Sequence, residues 1–358
     1  MPVVMLAGTG KIATAIAQLL ASTALPEDSL TLMIVGRTPG HAEQVLTEAQ
    51  AIADSFDKPM TGVTHVVDWS DPKSISPVLH KSSPDLIVQL ASEQPPSGLK
   101  GDDEWSKLVS AAGFGITLPL HLPPLRAVCE AMDAVGRRVP VLNACFPDLV
   151  NVVATRLGWP VVGGFGNLGS VALLAQTRAK HLKTARFVGC HHHLARFLDG
   201  KLDVDWLPRC FIDRREMPAE ELLGLLRSIP KPGDISSLTA ATAVPMIRAL
   251  SGLDERWEGA VSGPLGRVGG YPACILSKRL ELDMRGLDLV ELEDWNIRQE
   301  SGDGVTIRNA IEFMPAATAH IRAHLPGFEP SWAIDDRSIQ QLIDTFRQLK
   351  SDLQPDPA

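Results

Sequence analysis

The sequence predicts an α/β protein: an N-terminal Rossmann unit with a doubly wound parallel sheet, followed by a mixed α/β (α+β) catalytic unit. Three observations carry this reading. Short apolar runs of strand length alternate with helix-period segments over the first 150 residues, the pattern of a parallel sheet covered by helices on both faces. A glycine loop joins the first apolar run to the first helical segment. The chain has 358 residues, 45% of them hydrophobic, enough for two lobes with a core each.

Residues 3–7 are an uninterrupted apolar run, as expected of a strand buried on both faces. They lead into Gly8-Thr9-Gly10-Lys11-Ile12-Ala13 and an Ala/Leu/Ile-rich helix to residue 21. Residues 30–35 read as the second strand, 41–55 as a helix with a polar outer face, and 63–67 and 85–90 as two more strands. A Pro/Gly/Asp-rich loop spans 92–107, followed by a helix near 120–135 and a strand at 139–142. The lobe boundary is expected near residue 150, giving units 1–150 and 151–358.

Beyond it, 149–157 reads as a helix, 163–169 is glycine-rich, and a second helix runs to residue 182. A strand begins at 186. Residues 218–229 and 237–250 place apolar side chains at helical spacing. Residues 268–284 are strand-like, and 295–313 read as a hairpin turning at Gly302-Asp303-Gly304. Residues 338–353 form an amphipathic closing helix, with a frayed tail after it.

Composition excludes several functions. With 34 basic and 42 acidic residues the net charge is −8, the wrong sign for a protein whose main partner is nucleic acid. The five cysteines are scattered and never spaced as CxxC, which argues against a disulfide framework or zinc site and for a reducing compartment. The N-terminus has no basic stretch before its apolar run, and the most apolar later stretch, 159–175, is short and broken by glycines. A soluble, cytoplasmic protein without a membrane partner is expected.

Gly8-x-Gly10-x-x-Ala13 has the spacing of a dinucleotide loop. The first glycine makes the tight turn, the second admits a pyrophosphate to the backbone, and Ala13 lets helix and strand pack closely. Gly8, Thr9, Gly10, Lys11 and Ile12 are therefore the expected phosphate-binding residues, at the positive end of a helix. The second strand ends in Gly36-Arg37-Thr38 with no carboxylate to receive the ribose hydroxyls of NAD. Gly36 is read as room for a phosphate and Arg37 as its partner, so NADP(H) is favoured over NAD(H); a merely solvated Arg37 is the alternative. Ala91, Ser92 and Asn143, after the fourth and fifth strands, are the remaining expected cofactor contacts.

The densest chemistry in the chain is Cys190-His191-His192-His193. If the run continues the strand, His191 and His193 share one face and Cys190 and His192 the other, so they do not all meet one metal. Imidazole suits proton transfer near neutral pH.

The order of these pieces resembles the lactate/malate dehydrogenase superfamily and, more distantly, its relatives the NAD-dependent family 4 glycosidases. The stretch Asn143-Ala144-Cys145-Phe146-Pro147-Asp148 is similar to the family's Asn-Pro-x-Asp run, Gly166-Asn167-Leu168-Gly169-Ser170 to its Gly-x-x-Leu-Asp-Ser segment, and Gly189-Cys190-His191-His192 to the strand end that bears the catalytic histidine. The resemblance implies a Rossmann domain with a mixed α/β catalytic domain, a homodimer or higher homo-oligomer, His191 (with His192 in reserve) as the proton-transferring residue, and Asn143 orienting substrate or nicotinamide.

The departures are equally specific. Gly169 stands where the family holds its histidine with an aspartate, Ala172 where an arginine grips the substrate carboxylate, and 92–107 contains no arginine. Asp148 and Asn151 are the candidates to orient the imidazole, with helix capping an equal alternative for Asp148. The expected function is therefore an NAD(P)H-dependent oxidoreductase acting on a carbonyl, alcohol or imine carbon of a small metabolite that is not a simple 2-keto acid. A lyase or hydrolase of the glycosidase type, without net redox, is the first alternative, and a non-catalytic dinucleotide-binding protein the second.

Overall fold

The computed structural model describes residues 1–99 and 101–354; beyond Gln354, the tail expected from the sequence lies outside the described residues. The N-terminal half alternates as β1 (Val3–Ala7), α1 (Lys11–Thr23), β2 (Thr31–Gly36), α2 (Pro39–Ser55), β3 (Thr61–Val66), α3 (Pro72–Ser82), β4 (Leu86–Gln89), α4 (Glu104–Ala112), α5 (Leu122–Ala134), β5 (Val141–Asn143), α6 (Pro147–Arg156) and β6 (Val161–Gly164). Then come α7 (Asn167–Arg178), β7 (Arg186–Val188), α8 (His191–Asp199), β8 (Arg209–Ile212), β9 (Arg215–Glu216), α9 (Ala219–Arg227) and α10 (Ser236–Ser251). The chain closes with β10 (Arg256–Ser262), β11 (Gly270–Leu276), β12 (Arg279–Leu282), α11 (Leu289–Glu300), β13 (Val305–Ile307), β14 (Ile311–Phe313), α12 (Pro315–Arg322), β15 (Ser331–Trp332) and α13 (Asp336–Leu353).

Nine strands make one sheet in the order β12-β11-β10-β6-β5-β4-β1-β2-β3. From β6 to β3 all neighbours are parallel, with Met5 of β1 opposite Met33 on one side and Ile87 on the other. This is the doubly wound Rossmann order. The strand order reverses between β1 and β4, and ligands of such sheets bind outside the C-terminal strand ends at that point. β10 joins β6 antiparallel and carries β11 and β12, so the sheet runs without a break past residue 150, which lies inside α6.

The sheet is buried on both faces. Val4, Leu6, Leu32 and Ile34 pack with α1, α2 and α10, while Met5, Met33 and Ile87 pack with α3, α5 and the C-terminal elements. A smaller cluster, including Phe187, Phe197 and Leu222, closes α7, α8 and α9 over the sheet β7-β8-β9. Among the described residues no single helix is long and apolar enough to cross a membrane.

Three elements differ from expectation. The histidine run is not a strand. Gly189 makes a single bridge to Gly270, and Cys190 then caps α8, its N–H donating to Nδ1 of His193 at 2.9 Å. Residues 289–300, taken in part as a hairpin arm, are helix α11, started by Asp288, whose carboxylate accepts from the N–H groups of Val290 and Glu291. The hairpin is the shorter pair β13–β14, and Gly302-Asp303-Gly304 leads into it rather than turning it. The expected loop 92–107 contains the start of α4, where Asp103 accepts from the N–H of Ser106 at 2.8 Å.

Candidate active site

The glycine loop sits at the switch point. Gly8 donates its N–H to Val35 at 2.9 Å and has φ +142°; a Cβ there would stand 3.0 Å from backbone atoms of Leu90 and Ala91. Gly10 precedes α1 without any side-chain cap, and a Cβ on it would meet nothing within 4 Å. The first N–H groups of α1, at Lys11 and Ile12, are thus left to an outside acceptor, over a glycine with open space above it. Ala13 is fully buried. These residues fit a dinucleotide pyrophosphate.

The ribose end departs from the sequence reading in one respect. The space over Gly36 is filled by the Thr9 side chain, whose Cγ2 would lie 2.6 Å from a Cβ at Gly36. Gly36 therefore accommodates Thr9 rather than a phosphate, because the loop folds back over the end of β2. Arg37 and Thr38 are exposed, and Thr38 precedes α2 with its hydroxyl unused as a cap.

From this loop a chain of contacts leads to the histidines. Ala91 abuts Gly8, and the hydroxyl of the next residue, Ser92, meets Nδ1 of buried His121 at 2.8 Å. Nε2 of His121 meets Thr117, whose hydroxyl is already donating to the Phe114 carbonyl. Nε2 of His121 must then carry the proton and Nδ1 accept from Ser92. The Phe114 ring stacks on His191 at 4.6 Å, and Phe146 meets His191 edge-on at 5.3 Å. Phe146 occupies the left-handed region at φ +46°, a strained position for a bulky side chain that places its ring here.

At the centre, one carboxylate grips two imidazoles. Oδ2 of Asp303 lies 2.6 Å from Nδ1 of His191, and Oδ1 lies 3.2 Å from Nδ1 of His192. Strand alternation would have forbidden this; the helical start of α8 permits it. His193 turns away, with Nε2 on Gln299 at 3.2 Å and its ring stacked on Trp295. Nε2 of His191 has no partner among the described residues, and its side chain keeps 17% exposure. The carboxylate that orients the imidazole is thus Asp303, not Asp148 or Asn151. Asp303 was missed because its only sequence signal was an aspartate between two glycines, which reads as a turn.

Asn143 and Asn151 have other work. The Asn143 amide donates to Asn151 Oδ1 at 2.8 Å and its oxygen accepts from the N–H of Cys145, while Asn151 donates to the Gly263 carbonyl. Together they tie the ends of β5 and β10 to α6, and both are fully buried. Asp148, also fully buried, accepts from the Asn167 amide through Oδ2.

Burial and charge shape the protonation states. Burial opposes the charge on His191, but the nearby Asp303 and Asp148 carboxylates outweigh it and raise its pKa. Asp303 is held well below the usual carboxylate range, the two imidazoles overcoming its burial. Burial, with the like charge of Asp303, pushes Asp148 up to about 6 against the pull of His191 and Asn167. Glu300, buried beside them and with neither carboxyl oxygen hydrogen-bonded, is driven well above its ordinary value by burial and by Asp148 and Asp303. Burial pushes His121 and His193 down to about 3 and the Cys145 thiol up to about 12. His191 is thus the imidazole suited to give and take a proton. Among the described residues no three His, Cys, Asp or Glu side chains group to hold a metal ion.

No family profile and no curated sequence matches this chain. Solved structures do. Malate dehydrogenase from Plasmodium falciparum is similar over 98% of this chain and 99% of its own, with TM-score 0.52 and 12% identity. That from Picrophilus torridus reaches TM-score 0.56 at 12% identity over 90% of this chain and 99% of its own. Lactate dehydrogenase from Eimeria maxima, determined with NADH and oxamate, gives 0.53 at 13% over 91% and 97%. The chain has the malate/lactate dehydrogenase fold. At these identities the likeness concerns the fold, and the histidine centre has to be judged on its own atoms.

Proposed function

We propose that this chain is an NAD(P)H-dependent oxidoreductase acting on a carbonyl, alcohol or imine carbon of a small metabolite. The observation that carries the reading is His191, fixed through Nδ1 by a buried carboxylate with its other nitrogen unpartnered, on a dehydrogenase fold and in contact continuity with the glycine loop. The similar lactate dehydrogenase was determined with NADH.

When bound, the nicotinamide supplies or accepts the hydride. The free N–H groups of α1 and the open face of Gly10 hold the pyrophosphate. Asp303 fixes the His191 tautomer and favours its charged form, so that Nε2 gives a proton in reduction and takes one in oxidation. Phe114 and Phe146 keep water from the imidazole. NADP(H) is favoured over NAD(H) through Arg37, exposed and able to pair with a phosphate, beside Thr38 and the uncapped start of α2. A homodimer in the cytoplasm belongs to the same reading, and light scattering that gives a monomer would remove the dimer from it.

The deciding experiment is a fluorescence titration of cofactor-stripped protein with NADPH and NADH in parallel. Tighter binding of NADPH is expected. Equal binding would end the role given to Arg37, and binding of neither would end the oxidoreductase reading.

A further inference from the structure

We infer that the substrate is bound as a cation, an amine or iminium whose nitrogen is taken by Asp148, rather than through a carboxylate. This rests on the His191 centre being the active site and names the substrate class for it.

Apart from the imidazoles, the ionisable side chains at the centre are acids, and of these Glu300 is held protonated. Asp148, Glu300 and Asp303 are all fully or almost fully buried there, and the charged groups that shift them and His191 are one another and the histidines. The arginines of the surrounding elements are paired elsewhere or exposed: Arg196 on Asp203, Arg267 on Glu293 and Arg156 on the Arg308 carbonyl, with Arg298 of α11 exposed. A carboxylate entering this centre would meet buried carboxylates and no guanidinium, where recognition of such a group uses a bidentate arginine. A cation would meet complementary charge.

Two members of the cluster have vacant acceptors, Glu300 and Asp148; burial and its acidic neighbours keep Glu300 protonated, which leaves Asp148 as the carboxylate open to a cation. Asp148 is fully buried, its Oδ2 receives the Asn167 amide, and its Oδ1 has no hydrogen-bond partner among the described residues. A buried acceptor without a donor is costly, and an N–H⁺ of the substrate would fill it. Asp148 lies close enough to His191 for each charge to be felt by the other, which puts the two groups at one reacting centre. Asp303, by contrast, is saturated by His191 and His192. The aromatic surfaces of Phe114 and Phe146 beside His191 are also favourable to a cation.

The test compares two probes of opposite charge, cyclohexylammonium and oxamate, on unmodified protein. Binding is read by NADPH fluorescence in the loaded protein. In the free protein it is read by tryptophan fluorescence, since Trp206 meets His192 at 4.6 Å. The ammonium is expected to bind at least tenfold more tightly than oxamate, and Asp148→Asn to remove that advantage while NADPH still binds. Tighter binding of oxamate, binding of neither probe, or an Asp148→Asn protein that folds and keeps full ammonium affinity would overturn the inference. If the variant does not fold, the ratio of the two probes on the parent protein decides alone. Failure of NADPH to bind, with the tryptophan response to the ammonium retained, would bring down the dehydrogenase reading and leave the cation site standing.

Discussion

The two ends of the crevice are built by different means. The proposed cofactor end is made of backbone: a glycine turn, the unpaired N–H groups of α1 and an open face over Gly10, all within a few consecutive residues. The histidine end is made of side chains from segments far apart, with Phe146 and Asp148 from the start of α6, His191 from α8, and Phe114 and Asp303 from two further segments. Backbone geometry tolerates changes of side chain; a desolvated cluster of carboxylates and imidazoles does not, because each group sets the protonation of the others. Substitutions should therefore act at the first end on binding alone and at the second on chemistry and pH dependence.

The largest effect is expected from Asp303→Asn. The amide presents a donor to one of the two imidazoles, so His191 loses its fixed tautomer and its raised pKa, and kcat should fall by about a thousandfold with NADPH affinity retained. A variant that loses affinity and kcat together would break the division. Gly10→Ala comes next. Gly10 sits at φ −76° with open space around it, so the fold accepts a methyl group while the pyrophosphate does not. Calorimetry should show an unchanged Tm, with NADPH affinity lower by about tenfold to a hundredfold, the 1–3 kcal/mol typical of overpacking.

Arg37→Ala should weaken NADPH by about tenfold, the scale of one charge-assisted hydrogen bond, and leave NADH unchanged; equal losses would show that Arg37 reads no phosphate. The smallest effect is on stability. Glu300 has a raised pKa in the fold, so above its ordinary value of 4.5 the folded chain holds a proton that the unfolded chain has released. Its contribution to stability thus falls as pH rises. Glu300→Gln should raise Tm over the parent at about pH 8, with the gain shrinking toward about pH 4. A gain independent of pH would contradict the buried acid.

This contrast also explains what the sequence made legible. The strand-loop-helix at residues 3–21 was readable because its physics is local: an apolar run, a glycine where φ is positive, and small residues where helix meets strand. The candidate His191 was found by density and resemblance, yet its surroundings were not. A cysteine as helix cap has no strong sequence signature, so nothing in the run marks the start of α8, and the partnership of residue 191 with residue 303 depends on how α11 packs against α8. Gly36 shows the reverse case: a glycine read as vacant space for a phosphate, where the space is claimed by Thr9, a neighbour from the glycine loop.

The wall of the site after β4 is held from the far end of the chain. Arg347 of α13 donates to both Glu93 oxygens, Lys350 donates to the Glu93 carbonyl at 2.7 Å, and Gln354 to the Gly98 carbonyl at 3.3 Å. These pairs span about two-thirds of the sequence, whereas Ser92, which sets the His121 proton, precedes Glu93 directly. In time rather than space, α13 follows every strand of the sheet out of the ribosome, which makes it a late component of the crevice. The nine-stranded sheet has all its strands and the glycine loop its helix before α13 emerges, so the proposed dinucleotide loop is complete in sequence before the segment facing His121 is fastened.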